Sequence, residues 1–473
     1  MTGSADSHAQ TQPPSAWATI REALRGSEQD FTTGPVPRAV LLLAIPMVLE
    51  MSLESVFAVV DVFFVSRLGA NAVAAVGLTE SMLAITYALA MGLSIAVTAV
   101  VARRWGEKDP DGAAHAAAQA LLLGIVVAAV LGVLGVLYAE PLLRLMGASD
   151  EVVAIGLGYT RIMLGGEVTI ILLFLLNAAF RGVGDAAIAM RVLWIANAIN
   201  IVLDPLLIFG IGPFPELGVT GAAVATTFGR AVGVLIALRV LLRPGHRLTV
   251  GRRHFAFDLE VIRTTLRLSG TATLQFLIGT ASWIGLVRLV ATFGSVAVAG
   301  YTVAMRLVIF GILPAWGLSN AASTMVGQAL GAKLPDRAAE AVRVAGRFNL
   351  LFLGMLGLVY LLLAPQVVGI FGSDREVMLV AEHALRITAL GFPLYALGMV
   401  LTQAFNGAGD TWTPTWLNFI VFWLWEIPLA WFLAIPMGMG EDGVFWAIVI
   451  AFSTMTLASW FMWRRGKWRE TVV

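Results

Sequence analysis

The chain of 473 residues contains no cysteine, which excludes disulfides, thiolate metal sites and cysteine nucleophiles. Charge is scarce as well. Only 13% of the residues are Asp, Glu, Lys or Arg while 59% are hydrophobic, against about 25% charged in soluble domains. That deficit describes an integral membrane protein. The net charge is +1, so no basic surface suited to nucleic acid is expected. The five histidines are scattered, and no metal-ligand histidine pair, serine-protease motif or phosphate-binding loop is visible. The first ~35 residues carry Pro13-Pro14, serine and glutamine but no apolar run of signal-peptide length, and are expected to be a cytoplasmic tail. Within that tail Trp17, Ile20 and Leu24 share a helical face beside Arg21 and Arg25. This fits an interfacial anchoring helix, or a disordered tail with a weak helical turn.

What the chain does have is a repeat. Asn177-Ala-Ala-Phe-Arg-Gly-Val-Gly-Asp185 returns as Gln403-Ala-Phe-Asn-Gly-Ala-Gly-Asp410. The same offset of 225 residues pairs Gly69 with Gly294, Gly106 with Gly331, Pro110-Asp111 with Pro335-Asp336, and Gly147 with Gly372. It also pairs Arg161 with Arg386 and Gly218-Val219 with Gly443-Val444. One constant offset at so many places marks a tandem duplication.

Apolar segments long enough to cross ~30 Å of hydrocarbon fall near 39–64, 73–102, 113–138, 159–180, 188–211 and 217–241. The second copy supplies 266–290, 297–327, 339–363, 383–405, 413–435 and 443–463. The expected fold is all-α: twelve transmembrane helices in two six-helix lobes. An even number per repeat orients both lobes alike, about a pseudo-twofold axis along the membrane normal. The expected organisation is a tail over 1–38, a first lobe over 39–241, a basic linker over 242–265, a second lobe over 266–463 and a C-terminal tail over 464–473. Arg103, Arg104, Lys108, Arg181, the cluster from Arg239 to Arg267, Lys333, Arg337 and Arg464 to Arg469 lie on one side. Positive-inside reasoning puts that side, with both termini, in the cytoplasm. The basic linker serves as a topology signal, or binds anionic lipid headgroups.

An ionisable side chain inside a membrane helix costs roughly 2.5–3.5 kcal/mol, so each is a functional-site hypothesis. The first repeat holds Glu50, Glu54, Asp61, Glu80, Glu167 and Asp204; the second has Gln275, Gly279, Leu286 and Met305 at the first four positions and keeps one deep carboxylate, Glu426. This asymmetry points to cation or proton binding in the first lobe. Counting 1.5 Å per residue brings Asp61, Asp204 and Thr226 to similar depth in the outer half of the membrane. Asn200 and Asp204 share a helix face, and Pro205 frees the carbonyl of Ile201. Carboxylates, an amide, a hydroxyl and a free carbonyl suit a hard cation or a shared proton. Hydrogen bonding between helices is the plainer reading of each.

The Val59-Val60-Asp61 stretch before Ser66-Arg-Leu-Gly69, the Arg181-Gly-Val-Gly-Asp185 turn, Asn200-x-x-x-Asp204-Pro205 and Gly221-Ala-Ala-Val-Ala-Thr226 together resemble the multidrug and toxic compound extrusion (MATE) transporters. The resemblance covers about residues 38–465. It implies a V-shaped pair of lobes and a proton- or sodium-binding network at Asp61, Asn200, Asp204 and Thr226. Asn177 matches a further site position, and Glu54 falls where some relatives have glutamine. Pro46 matches a proline at which the first helix is thought to bend. No cofactor is implied beyond the coupling ion, H⁺ or Na⁺. The expected protein is a monomeric, multi-pass antiporter of the plasma membrane, exporting organic cations or amphiphiles by alternating access.

In the second repeat Trp283, Tyr301, Trp316, Trp412, Trp416, Trp423, Trp425 and Trp431, with Met305 and Met399, suit flat cationic amphiphiles or interfacial belts. Arg288 and Arg306 lack assigned partners, Glu426 being a candidate for one. Two rivals follow. Gly182-x-Gly184-Asp185 spells the GxGD of membrane aspartyl proteases, although its duplication suggests a glycine turn. A lipid or lipid-linked oligosaccharide flippase would need a cationic cavity, for which only Arg288 and Arg306 speak.

Overall fold

In the computed structural model, which describes residues 15–372 and 374–471, twelve helices are long and apolar enough to cross a membrane, and no strand occurs among the described residues. A short helix α1 (Ala16–Arg25) precedes them. The first repeat supplies α2 (Val36–Ser66), α3 (Ala70–Gly106), α4 (Pro110–Leu145), a fourth span split into α5 (Asp150–Gly165) and α6 (Glu167–Gly182), then α7 (Ala186–Phe209) and α8 (Val219–Leu242). The second supplies α9 (Leu259–Val290), α10 (Ser295–Gly331), α11 (Pro335–Val368) and α12 (Arg375–Ala408). Its eleventh span joins α13 (Trp412–Asn418) through a π-helical stretch, Phe419–Glu426, to α14 (Ile427–Ala434), and α15 (Glu441–Arg464) is the twelfth.

The duplication recurs in backbone detail. Gly69 and Gly294 open α3 and α10 at φ 97 and 103, conformations closed to most side chains. Lys108 and Lys333, also repeat partners, share the left-handed region at φ 63 and 59. A proline follows as the first residue of α4 and of α11, where its missing N–H costs nothing.

Each lobe has its own apolar core, and a third cluster joins them: Val36 to Met47 of α2 packs with Leu318, Ala321 and Met325 of α10 and Val400, Leu401 and Ala404 of α12. The first helix of each repeat thus leans on the opposite lobe, α2 on α10 and α9 on α3. Small residues permit both approaches. A Cβ on Gly317 of α10 would meet the Met47 carbonyl oxygen at 2.4 Å, and one on its partner Gly92 of α3 would meet the Ser269 carbonyl oxygen at 2.7 Å. Beside that contact α2 runs unbroken through Pro46.

The face carrying α1 and residues 26–35, here the tail face, is closed. Gln328 of α10 donates to the Gly182 carbonyl (2.8 Å), and Arg103 of α3 donates to the carbonyls of Ala408 (3.2 Å) and Thr471 (2.8 Å). Residues 26–35 form a strap over this junction. Arg337 of the second lobe donates to the carbonyls of Phe31, Thr33 and Gly34, at 2.9, 2.6 and 2.8 Å. Arg247 of the linker holds the carbonyls of Ser27 and Gln29, and Lys108 holds Asp30. Burial raises the Asp30 carboxyl, but hydrogen bonds from Lys108 and Thr32 and the Lys108 charge outweigh it and bring it to about 2. The linker is docked as well: Leu248 and Val250 enter the first core, and Arg253 and His254 both meet Asp111. Arg247, Arg253 and His254 are thus engaged by protein, while Arg243, Arg252 and Arg263 are exposed. α1 is helical and buries Ala23 while Trp17 is 80% exposed, so the tail from residue 15 is ordered.

Candidate functional site

Two glycines let α8 lie directly on α7. A Cβ on Gly221 would meet the Leu207 carbonyl oxygen at 2.5 Å, and one on Gly229 the Ala196 carbonyl oxygen at 2.6 Å. The close contact brings Asn200 of α7 to Thr226 of α8, and the amide donates to the hydroxyl at 2.7 Å. Asp204, one turn further along α7, is 0% exposed, and among the described residues neither of its oxygens has a hydrogen-bond partner; the Asn200 Oδ1 is likewise unpartnered. Asp61 of α2 is half-buried and near enough to Asp204 and to Glu80 of α3 for the charges to interact. The expected group of Asp61, Asn200, Asp204 and Thr226 is therefore assembled around α7 and α8.

Arg230 joins it. It lies one turn beyond Thr226 on α8, donates to the Tyr87 hydroxyl at 2.8 Å, and interacts with the charges of Asp61, Glu80 and Glu54. The sequence reading passed over it, although the rule that singled out the carboxylates, an ionisable group within an apolar span, applies to it equally.

Asn177 and Glu54 belong to a second group, nearer the tail face. With Glu50, Tyr87, Ser94 and Arg181 they line a cavity of about 240 Å³ between the lobes, closed on the far side by Phe276, Trp316 and Gln403. Arg181, expected as a tail-side topology charge, is instead 9% exposed. It donates to Glu50 at 2.8 Å and to Ser94 at 3.2 Å. Glu54 accepts from Asn197 at 3.2 Å. Asn177 is 4% exposed with its Oδ1 unpartnered, and makes no hydrogen bond to the Asp204 group. Glu167 is set apart: it is the first residue of α6, where helix N–H groups favour a carboxylate, and accepts from Thr86 at 2.8 Å.

The second lobe offers an aromatic chamber of about 470 Å³, walled by Phe276, Trp283, Trp316, Tyr395, Phe422 and Phe452, a size suited to small molecules. Trp412, Trp416, Trp423, Trp425 and Trp431 are 39–52% exposed, as an interfacial belt would be. Arg288 and Arg306 are exposed as well, and neither pairs with Glu426. Neither lines the aromatic chamber or the cavity between the lobes. Gly182, Gly184 and Asp185 form the turn between α6 and α7, with Gly184 at φ 87, conformationally a job for glycine. Among the described residues no three His, Asp or Glu side chains are grouped to hold a metal ion.

The MatE family model matches residues 46–206 and again 272–432, once per repeat. "Probable multidrug resistance protein YoeA" of Bacillus subtilis is 27% identical over 436 residues, 90% of this chain and 94% of the relative. The "FAD transporter" of Shewanella oneidensis is also 27% identical, over 87% of this chain and 90% of its own length. A solved outward-facing multidrug resistance MATE transporter aligns at TM-score 0.87 and 28% identity, covering 93% of this chain and 98% of that one. The relatives are membrane transporters and not enzymes, and the fold, the two matched repeats and the relatives agree: the chain belongs to the MatE family.

Proposed function

We propose that the protein is a secondary antiporter that exports organic cations or amphiphiles in exchange for H⁺ or Na⁺, with Asp204 and Asp61 carrying the coupling ion. The observation that carries this reading is the Asp204 carboxylate, fully buried with neither oxygen partnered. A lone buried carboxylate is costly unless it takes up a proton or a cation. Asn200, with a free Oδ1, Thr226 and the Ile201 carbonyl opened by Pro205 supply the remaining oxygens. One charge crossing 100 mV is worth ~2.3 kcal/mol, about a 50-fold gradient at 1.4 kcal/mol per decade, so one coupling ion sustains useful efflux. Lobes that lean on each other through α2 and α9 suit alternating access, with bending of α2 near Pro46 and Pro205 softening α7. The tail face is then cytoplasmic and the membrane the plasma membrane; Trp17 of α1 lies in the lipid interface, and the protein works as a monomer.

One observation favours a second reading. A relative is named for FAD, an anion, and two guanidinium groups, Arg181 and Arg230, stand in this lobe. Against them stand the five carboxylates Glu50, Glu54, Asp61, Glu80 and Asp204, so the balance is acidic and cation export is preferred. For the flippase alternative, Arg288 and Arg306 line neither the aromatic chamber nor the cavity between the lobes.

The test uses protein in liposomes with an imposed pH gradient and no sodium, ethidium as substrate and a pH probe. Ethidium-dependent collapse of the gradient by wild type, absent in Asp61→Asn and Asp204→Asn, is expected. If no collapse occurs, a sodium gradient replaces the proton gradient. Failure of both, with FAD transported instead, would replace cation export by anion export.

A further inference from the structure

The second lobe has its own isolated carboxylate. Glu426 is 2% exposed, and no side-chain hydrogen bond or ion pair engages it among the described residues. It ends the eight-residue π-helical stretch Phe419–Glu426; such stretches are rare and are found mostly where function requires them. At the repeat offset of 225 residues it lies three positions before the counterpart of Asp204, and each acid closely precedes a proline, Pro205 or Pro428. The two lobes therefore bury one lone acid each on equivalent helices, about one turn out of register.

Their surroundings differ. Glu426 faces a slot of about 20 Å³, room for roughly one water molecule, lined by Trp283, Tyr301, Met305, Thr388 and Tyr395. Tyr301 and Tyr395 are both close enough for its charge to be felt, and the Tyr301 hydroxyl is 3% exposed and unpartnered. No arginine or lysine shares the slot. Trp283, Ile312, Tyr395 and Phe452 wall both this slot and the aromatic chamber of about 470 Å³, so the chamber narrows to a point with an acid at its end.

We propose that this is a binding site for an amine-bearing aromatic compound: the aromatic body fills the chamber and the protonated amine enters the slot against Glu426. An ammonium head matches the slot in size, and aromatic faces around a carboxylate attract a cation through both ring quadrupoles and charge. The proposal rests on the reading of the protein as a cation exporter and adds where, and in what orientation, the cargo binds. It separates the cargo's counter-ion in the second lobe from the coupling ion's carboxylates in the first.

The test is a fluorescence titration of full-length protein in nanodiscs with dansylcadaverine, a primary amine on an aromatic dye, and with its neutral N-acetyl derivative. Glu426→Gln is expected to weaken the amine at least tenfold and to leave the neutral derivative unchanged. Glu426→Asp should retain part of the amine preference. Wild-type affinity for the amine in Glu426→Gln would overturn the site, and so would an equal loss of both ligands, which marks a packing role. Gradient-driven efflux of dansylcadaverine by wild type in liposomes is scored separately. Efflux with undiminished Glu426→Gln binding removes this site alone; neither binding nor efflux by wild type removes the site and cation export together.

Discussion

Asn200 and Thr226 are joined by a 2.7 Å hydrogen bond across α7 and α8, and one turn along α7 Asp204 stays buried with no donor to either oxygen. The bond fixes the amide while its own Oδ1 is left without a partner, one helical turn from that carboxylate. Thr226→Val removes the acceptor and leaves the Asn200 amide unpaired in the interior, which costs about 1–3 kcal/mol. Thermal unfolding in detergent should fall accordingly, and ion-driven efflux should drop about tenfold. Undiminished efflux in a destabilised Thr226→Val would show that the amide's orientation does not matter to the ion.

Glu50 and Arg181 form a pair in which both side chains are almost fully enclosed. Breaking such a pair from one side leaves an uncompensated charge, at about 3–5 kcal/mol, whereas removing both charges is far milder. Glu50→Gln should thus lower the unfolding temperature sharply, and Glu50→Gln combined with Arg181→Gln should recover most of the loss. A double variant no more stable than the single would mean that the pair is not the unit.

The strap and the cross-lobe bonds must part if the tail face is to open. Arg337→Ala removes three bonds to strap carbonyls and should shift spin-label distances between the lobes on that face toward a wider population. The cysteine-free sequence allows the labels to be placed singly. Unchanged distances would show that Gln328 and Arg103 hold the face without the strap.

Acidity should leave the strap alone over the physiological range. Asp30 is lowered from its ordinary value to about 2, burial opposing and Lys108 and Thr32 prevailing. A depressed carboxyl contributes its stabilisation above its ordinary value, near 3.9, and loses it as pH falls through about 2. Tail-face distances in wild type should therefore stay constant across pH 5–8. A pH-dependent opening in that range that vanishes in Lys108→Met would contradict this.

The duplication and the twelve spans were legible because both rest on local signals: a fixed offset and apolar length. The split of the fourth span at Gly166 was not, since its hydrophobicity is continuous across the break. The four-residue group of Asp61, Asn200, Asp204 and Thr226 could be gathered from depth along helices and from family resemblance. Arg181 reads from the sequence as a topology charge and Arg230 as one more residue of an apolar span, because which way a guanidinium turns depends on neighbours from other helices. Asn177 was joined to that group by resemblance alone; its position near the end of α6 sets it toward the tail face, in the cavity of Glu50 and Arg181. The closure of the tail face by backbone carbonyls of the strap had no sequence signature at all.

The central claim is that export is tied to the first-lobe carboxylates, and it is tested most directly by proton counting. Detergent-solubilised protein in weakly buffered, sodium-free solution is mixed with a cationic substrate such as ethidium while pH is recorded. The account predicts release of protons on substrate binding by wild type, abolished in Asp204→Asn although that variant still binds the dye. Equal proton release by Asp204→Asn would contradict it and move the coupling site elsewhere in the molecule.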